Sequence, residues 1–135
     1  MANLSITAAN VDPGANAIKG TGEAGATITA GQVVYLDPTN NKVKPAINNS
    51  TTPANVIGVA LVGSSNNQPV IYQIIGDIDL GATLTVGEIY VLGNVAGSIS
   101  PEADNGSGEF VTILGVATAA DTLKMRIHAS GVSVP

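Results

Sequence analysis

Cysteine is absent from all 135 residues, so disulfides, thiolate nucleophiles and zinc–thiolate centres are excluded. Tryptophan is absent too, and Tyr35, Tyr72, Tyr90 and Phe110 are the only aromatic residues. Carbohydrate sites usually need aromatic platforms, which four scattered rings do not offer. Charge is sparse: five Lys or Arg stand against ten Asp or Glu, for a net of −5. An acidic chain with dispersed cations has no electrostatic footprint for nucleic acid. No apolar run approaches the roughly 18 residues of a membrane helix, so no membrane partner is expected. The opening MANLSITAAN has neither the basic nor the apolar region of a signal peptide. Synthesis in a cytoplasm is therefore expected.

What the chain does have is Ala, Val, Ile and Leu, punctuated throughout by 16 Gly and 7 Pro. No stretch longer than about ten residues keeps apolar positions at helical spacing without an interrupting Gly, Pro or Asn. β-branched runs separated by turn residues point to an all-β domain, a small sandwich or barrel. A domain of this size buries roughly two-thirds of its unfolded surface, enough for a core.

The chain contains an internal duplication. Residues 25–36 read GATITAGQVVYL and residues 81–92 read GATLTVGEIYVL, with six of twelve positions identical. Downstream, Ile57-Gly58-Val59-Ala60 corresponds to Leu114-Gly115-Val116-Ala117. Each copy then closes with an extended segment ending in glycine, VIYQIIG at Gly76 and MRIHASG at Gly131. Two pseudo-repeats follow, 25–76 and 81–131, within one β domain spanning 25–135. In each, Thr-x-Gly-Gln/Glu (Thr29–Gln32, Thr85–Glu88) places Gly where a type II turn needs positive φ. Strands are expected at Val33–Leu36, Val43–Ala46, Val56–Leu61, Val70–Ile75, Ile89–Leu92, Phe110–Ala117 and Thr122–His128.

GTGEAG (Gly20–Gly25) matches the dinucleotide fingerprint G-x-G-x-x-G. That fingerprint needs a strand before it and a helix starting at its last glycine. Here turn-rich sequence precedes it and strand chemistry follows. Gly25 belongs to the repeat, while Gly20 and Gly22 read as a flexible lead-in, so no cofactor is assigned. His128, the only histidine, alternates with Lys124 and Arg126 on one strand face, opposite Leu123, Met125 and Ile127. No nucleophile elbow G-x-S-x-G accompanies it. DNGSGE (Asp104–Glu109) fails EF-hand spacing and reads as a mobile loop. The Asn-x-Ser/Thr sequences, without a secretion signal, carry no functional reading. Asp77 and Asp79 share a strand face. With His128 they are the only residues on which a metal-dependent hydrolase could rest, and that reading requires all three in one pocket.

The remaining features point to association. Residues 1–24 lie outside the repeats and hold isolated apolar residues, Leu4, Ile6, Val11 and Ile18. They read as an extended N-terminal arm, whose alternating Leu4-Ser5-Ile6-Thr7 could add a strand to a neighbour. In the first copy the closing strand is apolar on both faces, through Ile71 and Ile75 on the face that in the second copy carries Lys124, Arg126 and His128. Such a strand must be covered within the chain or at a subunit interface. Leu4, Ile6, Val11, Ile18, Ile71 and Ile75 are thus the candidate interaction residues.

The phrases AGATITAGQVVYLD, VIGVALVGSSNNQPVIYQIIG and ILGVATAADTLKMRIHASG resemble the small capsid decoration, or cement, proteins of tailed bacteriophages. The likeness extends over both copies. In the second, Gly93-Asn94-Val95 replaces the Asp-containing loop and basic residues interrupt the last strand. The resemblance implies a non-enzymatic, cofactor-free protein on the outer surface of a phage head. It implies a homotrimer that clamps the major capsid protein and touches no nucleic acid. A phage fibre, spike or baseplate module is the alternative among structural proteins.

Overall fold

The computed structural model describes residues 3–135. Ten strands form a single antiparallel sheet curled into a half-barrel. In chain order they are β1 (Val11–Pro13), β2 (Ile18–Glu23), β3 (Val33–Asp37), β4 (Lys42–Pro45), β5 (Val56–Ala60), β6 (Pro69–Leu80), β7 (Ile89–Leu92), β8 (Ile99–Pro101), β9 (Phe110–Ala117) and β10 (Thr122–Ser133). Short 3-10 turns at Ala8–Asn10 and Glu102–Asp104 are the only helical elements among the described residues. The fold is all-β, as the residue chemistry requires, and one closing sheet takes the place of a two-sheet sandwich.

The sheet order β4-β3-β5-β6-β10-β9-β7-β8 shows the duplication directly. Each copy contributes the same four-strand order, and the copies join where β6 pairs with β10. Registers repeat as well. Val34 lies opposite Gly58 and Pro45, and Tyr90 lies opposite Gly115 and Pro101. A register shift follows at the same place in both copies, after Val34 and after Tyr90. The two turns are closed by Gln32 N to Thr29 O and Glu88 N to Thr85 O, both 3.1 Å. Gly31 and Gly87 have φ of 91° and 86°, the left-handed region that glycine enters without steric cost. Gly58 and Gly115 are required for contact: a Cβ on either would collide with the carbonyl oxygen of Gln73 or Lys124 on the adjacent strand.

The two copies nevertheless offer opposite faces to the shared core. In the first copy Val33, Val56 and Val59 enter that core, while Val34, Val43, Ala60 and Val70 form a second cluster under Ala24 and Ile28. In the second copy the positions equivalent to Val34, Val43 and Ala60, namely Tyr90, Ile99 and Ala117, enter the shared core. The exchange occurs inside β6. Gln73 lies opposite Val59, which faces the shared core. Ile78, an odd number of residues later, faces the same core. Simple alternation forbids this. The pleat is broken by a bulge at Ile74, where the register with β2 shifts between Gln73 and Ile75, so that Ile74 and Ile75 are both exposed. Gly76, with a φ of 104°, follows directly. The buried Gln73 amide spans the break, donating through Nε2 to the Ile75 and Asp77 carbonyls at 3.3 and 2.9 Å.

Several expectations are corrected. The closing strands do not correspond through Gly76 and Gly131. Val59 pairs with Gln73 and Val116 with Lys124, so Gln73 and Lys124 are equivalent, and β6 and β10 both run past their glycines. Gly20 and Gly22 are not a flexible lead-in but part of β2, which pairs with β6 from Glu23–Pro69 to Ile18–Ile75. They are small because Gly20 lies against the Tyr72 ring and Gly22 against Val43. The DNGSGE loop is pinned: Gly106 N donates to Glu109 Oε1 at 2.6 Å, Gly108 N donates to Val134 O in the C-terminal segment, and Val134 N donates back to Glu109 O, both at 2.8 Å. Strands β1, β2 and β8 were not expected from their short, polar sequences.

Candidate interaction surface

The N-terminal segment lies along the chain's own sheet. Leu4 N donates to Ile99 O at 2.7 Å and Thr7 N to Gly81 O at 2.9 Å. Leu4, Ile6 and Val11 pack against the shared core. Residue 24 therefore marks where the repeat begins, not where the fold begins. This also explains the second copy's altered loop. A Cβ on Gly93 would meet Ser98 Oγ and lie 2.7 Å from Asn3 Oδ1, so the equivalent of Asp37 has no room for a side chain.

Ile18, Ile71 and Ile75 are exposed, with relative exposures of 57%, 38% and 36%. Ile18 and Ile75 are directly cross-strand, and Ile75 is in turn opposite Arg126. Lys124 lies opposite Val116, and Val116 opposite Ile89. One shallow hollow is lined by Ile18, Ile75, Lys124 and Arg126. Its neighbour is lined by Ile113, Val116, Lys124, Arg126 and His128. Because both share Lys124 and Arg126, they form one continuous face across β2, β6, β10 and β9, which Ile89, opposite Val116, extends onto β7.

The position of this face in the duplication gives it meaning. Its members Ile89, Ile113 and Val116 are the equivalents of Val33, Val56 and Val59. The first copy buries all three, at 0%, 6% and 0% exposure, whereas Val116 is 39% exposed and Ile89 and Ile113 are half-buried. Alternation along the second copy marks Lys124, Arg126 and His128 as one strand face, but only the sheet shows that this face lies away from the shared core.

The charges are equally uneven. Lys42 pairs with Glu23 at 3.3 Å and Lys44 with Asp37 at 2.6 Å. The Lys44 hydrogen bond, with that of the Thr39 amide, holds the Asp37 carboxyl below its ordinary range, and the same bond holds the Lys44 amine above its own. Among the described residues, Lys124 and Arg126 have no ion pair. Two of the five cations of an acidic chain therefore stand unpaired on the open face, beside the exposed His128.

Asp77, Asp79 and His128 are not brought together. Asp77 stands opposite Lys124, and Asp79 lies between Thr122 and Asp12 on the flanking strands. Asp79 Oδ1 accepts from Gly81 N at 2.9 Å and lines a different hollow, with Thr7, Asn10 and Asp121. His128 is opposite Ile113. Among the described residues no three His, Cys, Asp or Glu side chains are grouped to hold a metal ion. Gly20–Gly25 likewise has no helix after it to receive a phosphate.

Comparison with protein-family models finds no match to this chain, and comparison with curated proteins finds none either.

Proposed function

We propose that the chain is a non-enzymatic capsid decoration protein, which as a homotrimer coats the outside of a tailed-phage head and stabilises contacts between major capsid proteins. The observation that carries this reading is the open face of the second copy. Ile89, Ile113 and Val116 are apolar where the equivalent first-copy residues are core, yet they are not buried as those are. Lys124 and Arg126, without ion pairs among the described residues, frame them. Apolar area with a cationic frame suits a protein surface that is partly apolar and acidic. Many copies of such a modest contact on a symmetric shell give avidity that one contact lacks.

The residues around the face are scaffold residues. The repeated motifs set turns, registers and close strand contacts, and the candidate acid–base residues are dispersed. The resemblance to decoration proteins rests on those same repeated phrases. Electron microscopy of phage heads carrying the protein tests the proposal. Hundreds of copies at regular positions outside the shell, with β9 and β10 toward a neighbour, are expected. A few copies confined to the tail would replace this reading with a fibre or baseplate module.

A further inference from the structure

Where β2, β4 and the β5–β6 connection meet, three side chains of particular chemistry converge. Lys42 Nζ donates to Asn67 Oδ1. The same Nζ lies 3.3 Å from Glu23 Oε1. An amine is thus held one bond from a carboxamide carbon, with a carboxylate beside it. We propose that this is a self-modification site, at which Lys42 and Asn67 join in an isopeptide bond with Glu23 as the proton shuttle.

The backbone fixes all three residues. Asn67 N donates to Ala24 O at 2.7 Å, Ala24 N to Gln68 O at 2.8 Å and Gly25 N to Val43 O at 2.8 Å. Ala24, fully buried, is therefore clamped between the segments that carry Lys42 and Asn67. Glu23 is set by its pairing with Pro69. Asn67 takes a left-handed φ of 69°, rare for a residue other than glycine. The Lys42 stem crosses Gly25, where a Cβ would stand 2.8 Å from Lys42 Cβ. Holding reactants in contact replaces a bimolecular encounter, which is how an unactivated amide becomes reachable for an amine.

The step balances without an outside reagent. The Glu23 carboxylate takes a proton from the Lys42 ammonium. The neutral amine then attacks Asn67 Cγ, forming the new C–N bond and a tetrahedral centre. A second proton passes from Nζ to Nδ2, the Cγ–Nδ2 bond breaks, and ammonia leaves. It departs as ammonium with the proton Glu23 had taken, restoring the carboxylate. The product ties β4 to the β5–β6 connection and locks the strip that covers the second apolar cluster.

Mass spectrometry of the purified full chain tests this. The intact mass should fall short of the sequence mass by one ammonia. Trypsin should fail to cut after Lys42, and chymotryptic cleavage after Leu61 should leave the peptides holding Lys42 and Asn67 joined. Lys42→Arg and Glu23→Gln, shown to be folded by circular dichroism, should run at their full sequence masses. A wild-type chain at full sequence mass after prolonged incubation at mildly alkaline pH overturns the proposal. So does an ammonia loss that maps to Asn105-Gly106, where a succinimide would form, or a cross-link that persists in Glu23→Gln.

Discussion

Val116 occupies in the second copy the place that Val59 holds in the first, yet Val59 is fully buried and Val116 is 39% exposed. Both sit beside a register-matched glycine and opposite the closing strand. The difference arises from the bulge at Ile74, which turns opposite faces of the two copies toward the common core. Truncation should therefore separate them. Val59→Ala should destabilise the fold by roughly 2 kcal/mol, the scale for losing buried methyl groups. Val116→Ala should cost well under about 1 kcal/mol, since little burial is lost. Urea unfolding of the two variants measures this directly, and equal costs would mean that the second face is covered.

Tyr90 is the one aromatic ring fully within the shared core that also carries a polar task. It is 2% exposed, and its hydroxyl accepts from Thr85 N at 2.9 Å. The first copy solves the same problem differently, with Gln32 Oε1 accepting from Thr29 N at 3.0 Å. Tyr90→Phe keeps the packing and strands an amide, so a loss of about 1–2 kcal/mol is expected. Amide hydrogen exchange at Thr85 should rise in this variant and remain unchanged at Thr29.

The Asp37–Lys44 pair gives a defined pH dependence. A carboxyl held below its unfolded value stabilises the fold above that value, near pH 4, and loses the effect as pH falls through the folded pKa. The raised Lys44 amine acts in the opposite sense. Its contribution is full below the unfolded value near 10.4 and disappears as pH rises through the folded one. Both groups are on the surface, so the effect is small. The difference in melting temperature between wild type and Asp37→Asn should be constant at intermediate pH and vanish toward low pH. A difference that grows on acidification would contradict this pairing.

Much of the architecture was legible because the duplication printed it twice. The Thr-x-Gly turns, the strand after each and the Gly of IGVA and LGVA all occupy matching positions. Lys124, Arg126 and His128 were legible as one strand face from alternation alone. The lead-in was not, because Ile18–Glu23 carries little strand chemistry and is held by the long edge of β6. The face exchange was hidden for a similar reason: GDIDL continues the alternation of VIYQII in sequence, and only the bulge at Ile74 reverses it. Glu23, Lys42 and Asn67 were invisible as a group because they lie far apart along the chain and meet only through the packing around Ala24.

Solution mass by light scattering tests most directly whether this molecule works by association through its exposed apolar residues. The purified chain should show three times its 13.4 kDa mass. The break in β6 puts Ile71 and Ile75 on opposite faces of the sheet, contrary to their expected shared face. The test therefore uses Ile18 and Ile75, exposed cross-strand neighbours on the open face. Replacing both with Lys should reduce the mass to that of one chain without unfolding the protein. A wild-type protein that stays a single chain at every concentration would contradict the account.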